Sequence, residues 1–226
     1  MSLMFACPQF SEPIVLRENT VHTLVLEKPA ACRKFLSEFM LQKSGGEGDI
    51  VLSENFEPIA LSAYAELIID PLTVQPNTRP VLTKLYSALA NTANDETHFA
   101  EFSELQAHIE AFLYSVCEAQ ETELVFNGGL EAAQLFKAAD VRFDFASERP
   151  LTERLLDYMR VNSQYLKTKV FLLYNIKDVL EKEELETLCQ ALFYNKILFL
   201  LVQSEAKYRV ANETQWILDN DLCEIY

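Results

Sequence analysis

Glycine is scarce, with five in 226 residues, and none stands where a phosphate-binding loop would need it. The turn between the strand pattern Val21 to Leu26 and the helix pattern after it reads Glu27-Lys28-Pro29-Ala30-Ala31-Cys32-Arg33-Lys34. Lacking both glycine and a Lys-Ser/Thr pair, this turn cannot wrap phosphates in backbone amides in the usual way. An Asp to hold magnesium is missing as well, because Asn175 stands at the end of the apolar run Lys169 to Asn175. NTP hydrolysis is therefore disfavoured. Gly45, Gly46 and Gly48 follow a helix and precede a strand, the reverse of the required order, and read as a helix stop and a turn.

Paired cysteine is missing too. Cys7, Cys32, Cys117, Cys189 and Cys223 are odd in number, far apart and without a C-x-x-C pair, which argues against a disulfide framework or a zinc site and for a reducing cytosol. The longest apolar runs, such as Ile197 to Val202, fall far short of the roughly 20 residues that span a bilayer, so no membrane role is expected. His22, His98 and His108 do not converge, and no serine or cysteine nucleophile can be assembled with a base. Positive charge is in short supply, with 19 Lys and Arg against 34 Asp and Glu and a net charge of −15. Such a field repels nucleic acid and anionic membrane unless the basic residues are segregated.

The chain does have the content of a folded protein, 50% hydrophobic and 23% charged. Ile14 to Leu16, Val21 to Leu26 and Ile50 to Leu52 read as short strands, and Ala30 to Lys43 as a helix ended by Ser44-Gly45-Gly46. The opening Met1-Ser2-Leu3, followed at once by Met4, reads as an addition ahead of a native start. From about residue 59 to 120 apolar residues recur at three and four, which predicts helices with no strand between them. Beyond it, Leu124 to Phe126 and the alternation Val141 to Phe145 signal a return to β structure. Helices are expected at Leu130 to Ala139, Leu151 to Leu166 and Val179 to Tyr194, and a short strand closes the chain near Leu222 to Ile225. Lys169 to Asn175 and Lys196 to Gln203 are near-continuously apolar, as strands buried on both faces are. The expected fold class is α/β with a largely parallel central sheet. Residues 1–58 and 121–226 would form the α/β head, and residues 59–120 an inserted α-helical leg.

Charge is unevenly distributed. No Lys or Arg lies between Lys84 and Lys137, where nine acids occur, whereas residues 149–177 hold six basic residues against Glu153 and Asp157. In that basic part Arg149 precedes a helix on which Arg160 and Lys167 stand one heptad apart, aligned to track phosphates or simply to face solvent. Glu118, Glu121 and Glu123 crowd the end of a helix, where anions oppose the dipole and repel each other. They form either a solvated acidic turn or a site for calcium, whose coordination by oxygen is flexible. Glu101, Glu104 and His108 share a helix face and admit the same two readings.

As a whole the chain resembles the Csn-two family, the adaptation protein of type II-A CRISPR systems. The resemblance rests on Glu12-Pro13-Ile14-Val15-Leu16-Arg17, Leu24 to Glu27, the helical stretch with Val81-Leu82-Thr83-Lys84-Leu85-Tyr86, Leu130 to Phe143, Lys169 to Asn175 and Trp216 to Asp221. It runs nearly the full length, through order and hydrophobic pattern more than a signature motif. The resemblance implies a homotetrameric ring of subunits, each with a nucleotide-binding-like head lacking the phosphate loop and a helical leg. It further implies non-enzymatic, sequence-independent binding of double-stranded DNA ends, calcium-dependent assembly, and spacer acquisition alongside the CRISPR integrase proteins and the effector nuclease. On that basis Lys84, Lys137 and Arg142 join Arg149, Arg160 and Lys167 as candidate DNA contacts, and Glu121 and Glu123, with Glu118 near them, become candidate calcium ligands. A divalent-metal nuclease, a degenerate NTPase and a protein-only scaffold are the alternatives.

Overall fold

Two near-continuous apolar runs form the centre of the chain as strands, each with neighbours on both sides. The computed structural model describes residues 3–225. In chain order the elements are β1 (Leu3–Ala6), β2 (Ile14–Leu16), β3 (Val21–Leu26), α1 (Pro29–Lys43), β4 (Val51–Glu54), β5 (Glu57–Ile59), α2 (Leu61–Tyr64), β6 (Ala65–Ile68), α3 (Arg79–Ala93), α4 (Phe99–Glu118), α5 (Ala132–Ala138), α6 (Leu151–Tyr165), β7 (Val170–Tyr174), α7 (Lys182–Tyr194), β8 (Leu198–Gln203), β9 (Glu213–Leu218) and β10 (Glu224–Ile225). Six strands make the main sheet in the order β10-β9-β3-β8-β7-β6, every pairing parallel except β10 with β9.

The pleat of this sheet divides its side chains between two cores. Leu24, Leu26, Leu172, Leu200 and Val202 meet Phe35 and Phe39 of α1 together with Leu3, Phe5 and Leu52. Val21, Phe171, Leu173, Phe199 and Leu201 point the other way, onto Leu155 and Met159 of α6 and Leu185, Leu188 and Leu192 of α7. Burial on both faces is why these strands read as continuous apolar runs, and each fully buried Leu or Phe contributes about 1.5–3 kcal/mol. Helix α7 starts three residues later than the pattern predicted, at Lys182, because Glu181 and Glu184 form a reciprocal capping box there.

Several expectations are corrected. Strands β1, β2, β4 and β5 form a separate antiparallel sheet, in the order β2-β1-β4-β5, and do not join the parallel one. Met1 and Ser2, part of the segment read as an addition, lie outside the described residues, while Leu3 is the buried first residue of β1. The stretch expected to be wholly helical contains β6, whose Ala65–Ile68 pairs with Val170–Leu173 of β7. A strand so short, with its partner a hundred residues away, leaves little local signal. The chain divides into two compact units, residues 1–76 with 145–226 and residues 77–144. The second unit consists of α3, α4, α5 and their connections, with no strand among its residues. Leu124 to Phe126 and Val141 to Phe145 accordingly stay irregular, and the backbone of Phe143 pairs with the side-chain amide of Asn77, donating to Oδ1 and accepting from Nδ2 at 2.9 Å each. Strand β9 was not expected, and the closing strand shrinks to Glu224–Ile225.

Candidate nucleic-acid interface

The turn from β3 into α1 lies at the carboxyl end of the parallel strands, where open α/β sheets bind ligands. Three of its amides are already engaged. Glu27 N donates to Leu218 O at 3.0 Å, Ala31 N and Cys32 N donate to Lys28 O at 2.9 and 3.1 Å, and Pro29 has no N–H. Across the sheet, Asn175 sits in the left-handed region at φ 47° and clasps Ser204, accepting from its N at 2.9 Å and donating to its Oγ at 3.1 Å. These three amides are therefore not free to point at a phosphate.

The six candidate DNA contacts are divided equally between the two units. Lys84 on α3 and Lys137 in the last turn of α5 are exposed, and neither forms an ion pair among the described residues. Arg142 is exposed, with Asp140 Oδ2 at 3.6 Å. In the other unit Arg149 is engaged by the helix that follows it: Nη1 donates to Asp157 Oδ2 at 2.6 Å, and Nε and Nη2 donate to Glu153 Oε2 at 3.3 and 3.2 Å. Hydrogen bonding to Asp157, then its charge and Glu153, raise the Arg149 pKa further. Arg160 is exposed and shares Asp157 at a longer 3.9 Å. Lys167 follows the carboxyl end of α6, exposed and with no ion pair among the described residues. Two other cations of the basic part are not available for phosphate. Lys169 lies 2.6 Å from Glu54 and over the Tyr64 ring, and Lys177 is buried.

The acidic cluster does not assemble as a metal site. Glu118 ends α4, Glu121 and Glu123 lie in the irregular chain after it, and all three are exposed. Among the described residues no three His, Cys, Asp or Glu side chains come together as ligands, neither this trio nor Glu101, Glu104 and His108. Calcium takes six to eight converging oxygens, and these carboxylates do not fit that need. Glu118 and Glu123 instead line a groove of about 850 Å³ together with Tyr114, Leu124, Val125 and Phe126.

One polar cluster escaped the reading of the sequence. Lys177, in the turn Ile176–Asp178 after β7, donates to Glu213 Oε1 of β9 at 2.6 Å, and both side chains are fully buried. Thr23 Oγ1, Gln215 Nε2 and Val210 N also donate to Glu213, at 2.7, 2.8 and 2.8 Å. Burial alone would raise the Glu213 carboxyl, but the hydrogen bonds from Gln215, Lys177, Val210 and Thr23 outweigh it and hold the pKa below its usual value. A lysine flanked by Asn175-Ile176 and Asp178 looks like any solvated turn, and only the unexpected β9 brings its partner to it.

Comparison with known proteins follows the same outline. No curated protein matches the chain. Among solved structures, Stu0660 of Streptococcus thermophilus superposes with a TM-score of 0.60 at 14% identity, covering 100% of this chain and 76% of that one. A nucleotide-free ATP-binding cassette from an ABC transporter gives 0.46 at 10% identity, covering 97% and 88%. A putative ABC transporter ATP-binding protein from Pyrococcus furiosus gives 0.41 at 6% identity, covering 95% and 97%. The likeness to Stu0660 supports the α/β fold described above. The family model for the CRISPR-associated protein Cas_Csn2 matches residues 42–222, from the end of α1 to two residues before β10, and the chain belongs to that family.

Proposed function

We propose that this chain is a non-enzymatic adaptation protein of a type II-A CRISPR system, assembling as a homotetrameric ring that receives double-stranded DNA ends in its hole. Membership of the Cas_Csn2 family is the observation that carries the reading. Exposed Lys84, Lys137 and Lys167, without ion-pair partners among the described residues, support it by giving a chain of net charge −15 cations free to meet phosphate. Arg142 and Arg160 add to these at longer range from their carboxylates, and Arg149 serves chiefly to brace α6. Contacts of this kind read charge and not bases, so binding is independent of sequence and weakens steeply with salt. Calcium enters the proposal only as a stabiliser of the assembly, with no ligand set assigned within one chain. The integrase proteins and the effector nuclease of the same system are the proposed partners in acquiring spacers, in the cytosol.

Native mass with and without calcium, paired with binding to a linear duplex and to the same duplex closed into a circle, tests this. A calcium-dependent tetramer that shifts only the linear form is expected. A monomer under all conditions, or equal binding of both topologies, would overturn the ring, and loss of linear DNA with magnesium would point to a nuclease.

A further inference from the structure

The connections that leave β3 and β8, neighbours at the centre of the main sheet, go to opposite faces. After β3, α1 packs Phe35 and Phe39 on one face, whereas the chain after β8 sends Tyr208 and Val210 into the core of the other. Such a reversal opens a crevice outside the carboxyl ends of the two strands, the place where open parallel sheets bind small ligands. A cavity of about 440 Å³ lies there, within the size range of small-molecule sites. Leu26, Cys32 and Leu36 give it an apolar lining. Cys32 Sγ donates to Tyr174 Oη at 3.7 Å, a bond that ties α1 to the end of β7 along the same cavity.

The polar lining narrows the ligand. Glu27 and Arg33 form no ion pair among the described residues, while Glu205 is paired with Lys207 at 3.4 Å. One unpaired carboxylate and one unpaired guanidinium leave the crevice close to neutral. With three amides of the turn taken and no N–H on Pro29, a polyphosphate would meet a single cation and a carboxylate that repels it. A vicinal diol suits the carboxylate, which accepts hydroxyl protons as acidic residues do from ribose at this end of a sheet. Arg33 presents a planar group that stacks on an aromatic ring. Ser204 Oγ accepts from Asn175 Nδ2 at 3.1 Å, which leaves its own proton to donate. We propose that the crevice binds a ribonucleoside without phosphate, its ribose hydroxyls on Glu27 and its base between Arg33 and the apolar lining. This goes beyond the DNA reading, because it uses none of the candidate phosphate contacts and lies within one unit of the chain.

Calorimetric titration of the full chain with adenosine, 2′-deoxyadenosine and magnesium ATP tests the proposal. Adenosine is expected to bind with a dissociation constant of about 0.1 mM, ordinary for a ligand of its size. Loss of one hydroxyl bonded to a carboxylate should make 2′-deoxyadenosine about tenfold weaker, and magnesium ATP should be weaker than adenosine by at least about that factor. Glu27→Gln should lower adenosine affinity about tenfold and narrow the gap between the two nucleosides to about threefold. Ser37→Trp, at an exposed position of α1 on the cavity wall, should fill the crevice and abolish binding, and an unchanged circular dichroism melt verifies its fold. No heat with adenosine at about 5 mM, well above the expected constant, would overturn the proposal. Magnesium ATP binding as tightly as adenosine, or an unchanged gap between the nucleosides in Glu27→Gln, would overturn it too. So would a change in the native mass of Ser37→Trp without ligand, by showing that a second copy of the chain covers the crevice.

Discussion

Replacing Lys177 with Met should destabilise the strand-rich unit far more than removal of any exposed cation. The ammonium and the Glu213 carboxylate are 2.6 Å apart, with both side chains fully buried. Removing one partner of such a pair leaves an uncompensated charge and typically costs about 3–5 kcal/mol. Glu213 keeps three donors, from Thr23, Gln215 and Val210, which places the expected loss near the lower end, about 3 kcal/mol. At roughly 2–4 °C per kcal/mol for a chain of this size, the melting temperature should fall by about 10 °C. Trp216 on β9, the one tryptophan of the chain, is a fluorescence reporter on the strand that carries Glu213. Urea unfolding followed at Trp216, for Lys177→Met, Glu213→Gln and the double variant, gives the coupling between the two groups. The double variant should be less destabilised than the sum of the singles, by roughly 2 kcal/mol. A loss below about 1 kcal/mol for Lys177→Met, or additive effects, would mean the pair is solvated and the buried clamp does not exist.

Two further predictions concern pH and phosphate. Burial first, and the Arg17 charge after it, lower the His22 pKa to about 4 from 6.5, and the Arg17 N–H donated to Nε2 at 2.9 Å is a bond that only the neutral ring can accept. Because the unfolded chain then binds the proton more readily, stability should fall as pH drops from about 6.5 to 4, by roughly 3 kcal/mol, and level off below; melting curves for His22→Gln should lose most of that slope, and a slope unchanged in the variant would assign it to other groups. Glu213, with its pKa held down, contributes stability above its unfolded pKa that is lost as pH falls through the folded one, at lower pH than the onset of the His22 effect. For DNA, Lys84→Gln, Lys137→Gln and Lys167→Gln should each reduce the salt slope of duplex binding by about one, and Arg149→Gln by less because its guanidinium is held by Asp157 and Glu153. Titrations across salt concentrations that rank Arg149 first would reverse this assignment.

What the sequence conveyed depended on how local its causes were. The runs at Val170–Tyr174 and Leu198–Gln203 are buried on both faces, and their composition announces it. The absent phosphate loop was legible for a similar reason, since the need for glycine in such a turn is a property of the backbone alone. Strands β6 and β9 were not legible, because each is made a strand by a partner distant in the chain, β7 for one and β3 for the other. In Val141 to Phe145 an alternating pattern stayed irregular, for the opposite reason that the helical unit, which holds all of it but Phe145, supplies no strand to pair with. Among the site residues, Arg160 stands on α6 as expected, but Lys167 lies past the end of that helix at φ 63°, so the heptad alignment of the two does not hold. The engagement of Arg149 by Asp157 and the burial of Lys177 against Glu213 depend on rotamers and on tertiary neighbours. Crowding of Glu118, Glu121 and Glu123 along the chain did not become convergence in space.

The division of the strand-rich unit into residues 1–76 and 145–226 has a consequence for synthesis. β3, the most completely buried strand, pairs only with β8 and β9, which leave the ribosome nearly last. The antiparallel sheet of β1, β2, β4 and β5 and the helices α3 to α5 have partners close at hand and can form while translation continues. β3 and β6 cannot, and until the final quarter of the polypeptide emerges they present unpaired edges and apolar faces. Closure must then bring the two ends together across the whole helical unit, an entropic barrier that grows slowly with loop length but precedes any reward from the sheet. The nascent chain is therefore most exposed to aggregation just before termination, and a truncation that removes β8 and β9 should leave a well-formed helical unit attached to an insoluble half-sheet.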